Sequence, residues 1–150
     1  MEQTNRSSSE VLRKGYSDEE VSSIYELARL HLENGQLAKG EAILDGLVEV
    51  SPDFAPAWLA KCYLSLMAQN LDKALFSARQ ALRIQPDFVE AILFLVACLM
   101  SVGDFNSAGT HLGEVGERIE AGMVTDPEVI RLYKAQLIRF QNKVRYPSST

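Results

Sequence analysis

Little in this chain of 150 residues is equipped for chemistry. It holds two histidines, His31 and His111, and two cysteines, Cys62 and Cys98. Neither histidine has a metal-like partner at helical spacing, so the ligand counts of zinc sites are not met, and no metal or other cofactor is expected. No glycine loop is followed by a Lys-Ser or Lys-Thr pair, which excludes a phosphate cradle of the usual kind. Nothing pairs a nucleophile with a base, and an enzyme is not expected. The longest apolar run, Ala91 to Met100, falls far short of the roughly 18 residues of a membrane span. Met1 to Ser9 lacks the apolar centre of a signal peptide, so the expected location is the cytoplasm. A net charge of −5 argues for solubility and against a basic nucleic-acid footprint. The cysteines sit on apolar helix faces, where a reduced, structural role is expected.

What the chain does have is a repeat. Pro52-Asp53-Phe54 returns as Pro86-Asp87-Phe88, 34 residues later, the period of a helix-turn-helix solenoid whose units bury their apolar faces against one another. Between the prolines, Trp58, Leu59, Cys62, Tyr63, Leu66 and Met67 recur at helical spacing. After Gln69-Asn70 so do Leu71, Ala74, Leu75, Ala78, Ala81 and Leu82, which predicts two helices. Pro86 ends the second, since proline removes a helical hydrogen bond and clashes with the preceding turn.

The flanking stretches repeat the plan. Ser17-Asp18-Glu19-Glu20 has capping-box spacing, and opens a helix through Val21, Ile24, Leu27, Ala28, Leu30 and Leu32 to Gly35. Its partner runs from Leu37 through Leu44 and Leu47 to Pro52. A third pair opens at Phe88 or Val89, turns at Gly103-Asp104, and resumes from Phe105 to Ile119. Gly109, Gly113, Gly116 and Gly122 crowd that last helix and its end, each interior glycine disfavouring helix by about 1 kcal/mol. It is therefore expected to be the least stable helix, unless close backbone packing compensates. Thr125-Asp126-Pro127-Glu128 is another helix start. The helix it opens presents Arg131, Lys134, Arg139, Lys143 and Arg145, read as a solvated face near a C-terminus.

These residues resemble the tetratricopeptide repeat, with Trp58 opening the first helix, Cys62 at the small-residue position, and Ala74, Ala81 and Pro86 where that family has Ala, Ala and Pro. The resemblance implies an all-α, right-handed superhelical solenoid of three helix pairs plus a C-terminal capping helix. The expected divisions are a flexible arm over 1–16, units over 17–53, 54–87 and 88–124, a cap over 125–146 and a tail over 147–150. Lys61 and Ser65 depart from the family, which buries large apolar residues there, and His31 and Leu47 depart in the first unit. Carrying the family's groove positions onto this chain gives Tyr25, Arg29 and Leu32 from the first unit. The second gives Leu59, Tyr63, Leu66 and Met67, and the third Leu93, Ala97 and Met100. The stretch Ala91 to Met100 is apolar all round, so one of its faces needs a partner. Trp58→Ala is expected to cost roughly 3 to 5 kcal/mol by emptying the core.

The length, the acidic opening from Tyr16 to Glu20, the three repeats with an apolar groove and the cap helix resemble the tetratricopeptide chaperones of bacterial type III secretion systems. That resemblance implies a chaperone that holds an export-bound subunit in the groove and prevents its premature assembly or aggregation. The client is either the needle subunit, usually held with a small helical co-chaperone, or a translocator. Two alternatives stay open. One is a general repeat adaptor. The other is a self-associating scaffold or homodimer, in which the acidic first unit, nine acids against Arg29 and Lys39 over 17–53, meets the basic cap helix of another copy.

Overall fold

The computed structural model describes residues 15–145, so the expected tail and all but the last two residues of the expected arm lie outside the described residues. Among the described residues seven helices follow one another: α1 (Asp18–Glu33), α2 (Leu37–Val50), α3 (Ala55–Met67), α4 (Leu71–Ile84), α5 (Val89–Ser101), α6 (Phe105–Glu120) and α7 (Pro127–Arg145). No strand occurs among the described residues. The first three pairs are the expected repeats, and α7 closes the series.

The 34-residue period is legible in the backbone itself. Gly35, Gln69 and Gly103 adopt φ of +77°, +58° and +88° at equivalent turns. In each, the next residue's amide reaches back to a carbonyl of the preceding helix, Gln36 to His31, Asn70 to Ser65 and Asp104 to Leu99, all at 2.8 Å. Left-handed residues close helices this way because the turn satisfies carbonyls that the helix leaves unpaired. Glycine suits the position, and Gln69 occupies it at a steric cost. The residues that follow begin the second helices. Asn70 Oδ1 accepts from the Lys73 amide at 3.2 Å and Asp104 Oδ1 from the Ser107 amide at 3.1 Å. At the start of α1 the capping box is complete, Ser17 Oγ accepting from Glu20 N at 3.1 Å and Glu20 Oε1 from Ser17 N at 2.9 Å.

Small residues set the packing distance within pairs. Ala28, Cys62, Ala74, Ala78, Ala81 and Ala108 are wholly buried. A Cβ at Gly40 would collide with Leu32 and come within 3.2 Å of the Ala28 carbonyl. Successive helices pack in order, and the odd-numbered helices also pack along the solenoid, α3 on α5 and α5 on α7. No comparable contact joins α2 to α4 or α4 to α6. From α3 onward the odd helices therefore form a close inner row, while α1 and α3, like the even helices, share no comparable contact.

The glycines of α6 find their reason in α7. A Cβ at Gly109 would stand 2.9 Å from Phe140 Cζ, and one at Gly116 would stand 2.6 Å from the Tyr133 hydroxyl. Close packing therefore does offset two of these glycines. Gly113 faces open space, and nothing in the structure explains it.

Candidate functional site

The groove residues assigned to α3 belong to a helix of the inner row, and those assigned to α1 to the helix that opens the series. On α3, Leu59 and Leu66 are half-buried, while Tyr63 and Met67 are 46 and 50% exposed. Tyr63 meets Phe94 of α5 edge-on, ring centroids 6.2 Å apart. On α1, Tyr25 is half-buried and packs edge-on against Phe54 at 5.4 Å. Burial raises its hydroxyl above the ordinary tyrosine range, with Arg29 opposing and Glu26 and Glu90 adding. Arg29 is exposed and pairs along its own helix with Glu26 at 3.5 Å and Glu33 at 3.3 Å.

Two expectations need correction. Leu32 turns onto Gly40 inside the first helix pair, because the missing Cβ there leaves room for its side chain. Leu93, Ala97 and Met100 are 0, 7 and 5% exposed, so the third unit presents no open apolar wall. The physical reason is α7, whose Leu132, Tyr133 and Phe140 join the cluster that holds Leu93, Leu99 and Met100. The all-apolar helix α5 finds its partner in the chain itself.

Trp58 also sits differently from expectation. It is half-buried, donates its indole N–H to the Pro52 carbonyl at 2.9 Å, and meets Phe76 edge-on at 5.8 Å. It borders a cleft of about 670 Å³ between α2, α3 and α4. Lys61 and Ser65 stand in that cleft, at the two positions where the repeat family buries bulky apolar groups. Lys61 pairs with Asp45 across the cleft. The sequence signal for this hollow was the pair of departures at Lys61 and Ser65; what it could not show was that α2 and α4 stand apart above them.

The two cysteines meet inside. The neighbouring Cys98 thiol and burial push the Cys62 thiol above its ordinary range. Both are free thiols, a packing contact between α3 and α5. No group of three or more His, Cys, Asp or Glu suited to a metal occurs among the described residues. No described helix is long and apolar enough to cross a membrane.

The comparisons bear on the fold. No protein-family model matches the chain, and no curated protein matches it in sequence. Among solved structures, the Yersinia enterocolitica type III secretion translocator chaperone SycD superposes with a TM-score of 0.70 at 16% identity, covering 89% of this chain and 96% of that one. The chain shares that chaperone's fold. A chain of a type III secretion complex from Aeromonas hydrophila superposes with a TM-score of 0.74 at 14% identity, covering 95% of this chain and 91% of the other. Both likenesses extend over most of the chain and support the resemblance to tetratricopeptide secretion chaperones read from the sequence.

Proposed function

We infer that this protein is a type III secretion chaperone that holds an export-bound subunit, needle or translocator, against the inner row of helices. The observation that carries the reading is Tyr63 with Met67. Two large apolar side chains stand about half exposed on the row that faces inward, beside half-buried Leu59 and Leu66. Exposed apolar groups gathered on one face are characteristic of interaction sites, and tyrosine and methionine suit adaptable recognition. The fold likeness to a translocator chaperone supports the client class. Because the third unit is covered by α7, the client surface is narrower than the sequence suggests: Tyr25, Arg29, Leu59, Tyr63, Leu66 and Met67. Leu93, Ala97 and Met100 lie behind it as its support.

The test is co-purification from a bacterium carrying a type III secretion system. A stoichiometric needle or translocator subunit, lost on Tyr63→Glu while helicity is retained, supports the reading. Recovery of the tagged chain alone, or of proteins unaffected by Tyr63→Glu, sinks it.

A further inference from the structure

The cleft between α2, α3 and α4 opens on the side of α3 away from Tyr63. On α3 its residues Trp58, Lys61 and Ser65 fall three and four apart, while Leu59, Tyr63 and Leu66 occupy the opposite face of the same helix. It exists because Lys61 and Ser65 replace bulky apolar groups and because α2 and α4 do not close over them. A second hollow of about 280 Å³ shares Glu41, Leu64, Ser65 and Lys73 with it and runs on to Leu37 and to Met67, the one residue it has in common with the client surface. Sharing four lining residues, the two hollows make one channel.

We propose that this channel is a second peptide-binding site, taking a segment of a partner protein in which an arginine stands beside a large apolar residue. Three observations choose that occupant. First, the lining is aromatic, with Phe76 57% exposed and set edge-on to Trp58; an aromatic face attracts a guanidinium, which also stacks on it. Second, the charges are unbalanced. Glu41, Asp45, Glu49 and Asp72 line the cleft against Lys61 and Lys73. Lys61 is already paired with Asp45, so three carboxylates face one free ammonium. A planar fork is the cation that satisfies such carboxylates while lying on a ring. Third, Val48 and Leu64 supply an apolar wall beside the charged rim, which asks for an apolar neighbour to the arginine.

The test uses the chain's single tryptophan, which borders the site. A blocked peptide, acetyl-Gly-Leu-Arg-Leu-Gly-amide, is titrated against the full chain, followed by tryptophan emission and by anisotropy of a labelled copy. The expected result is saturation that weakens about tenfold when glutamine replaces the arginine. Added salt should weaken it further. Phe76→Ala and the pair Glu49→Gln with Asp72→Asn should each lose the anisotropy change. Tyr63→Glu should leave it intact, which separates this site from the client surface. No saturation by about 1 mM peptide, equal binding of the glutamine peptide, or loss on Tyr63→Glu overturns the proposal.

Discussion

The indole N–H of Trp58 donates to the Pro52 carbonyl at 2.9 Å, tying the first helix of the second unit to the turn that precedes it. The tryptophan thus acts as a clasp more than as a core plug, and its neighbours are the buried alanines Ala55, Ala81 and Ala91. Trp58→Phe should cost about 1 kcal/mol, the worth of one hydrogen bond. Trp58→Ala should cost about 2 kcal/mol, less than the 3 to 5 expected of a wholly buried ring. Urea denaturation followed by helical circular dichroism measures both, and a loss above about 4 kcal/mol for alanine would restore the core reading.

Gly113 and Gly109 should answer differently to the same change. Alanine at Gly113 meets nothing and gains helix propensity of about 1 kcal/mol. At Gly109 the new methyl would drive into the Phe140 ring, so the gain should shrink or reverse. Thermal melts of the two variants give the order; equal gains would show that α7 rides loosely on α6.

Gln69 repeats the geometry of Gly35 and Gly103 without their freedom. At φ +58° a side chain crowds its own backbone, so Gln69→Gly should stabilise the chain by about 1 kcal/mol. A glutamine side chain that holds something in place would reveal itself as a loss in the same melt.

Asp104 makes the cap at the start of α6 pH-dependent. The Ser107 amide, then its hydroxyl, holds the Asp104 carboxyl below its ordinary value of 3.8. A depressed carboxylate contributes stability that is present above the unfolded value and lost as pH falls through the folded one. Asp104→Asn keeps an acceptor but cannot titrate. Wild type should therefore exceed it at neutral pH and lose that advantage in acid, as paired melts across the acid range would show.

The helices were legible because period and punctuation agree. Pro52, Pro86, Gly35, Gly103 and the Ser17 box each end or begin an element for a local reason, and local reasons survive folding. The inner surface was only half legible. Tyr63 and Met67 are about half exposed, yet Leu93 and Met100 obey the same pattern and are covered. Whether a residue at a given register meets water depends on a helix that follows some thirty residues on, and no spacing within α5 carries that information. The cleft at Lys61 and Ser65 was visible only as two exceptions to a rule. An exception says that packing changes, while the positions of α2 and α4 decide whether the change leaves a filled interior or a space.

Gly109 and Gly116 lie two turns apart on α6, and Phe140 and Tyr133 lie two turns apart on α7 in the reverse order. The last helix is therefore keyed, as a two-pin plug is keyed to its socket. One pin would let it swivel and none would let it slide, whereas two fix its axial position and its azimuth together. The compass bearing of the exposed charges on Lys134, Arg139 and Lys143 is thus set on the neighbouring helix, by two residues that have no side chain.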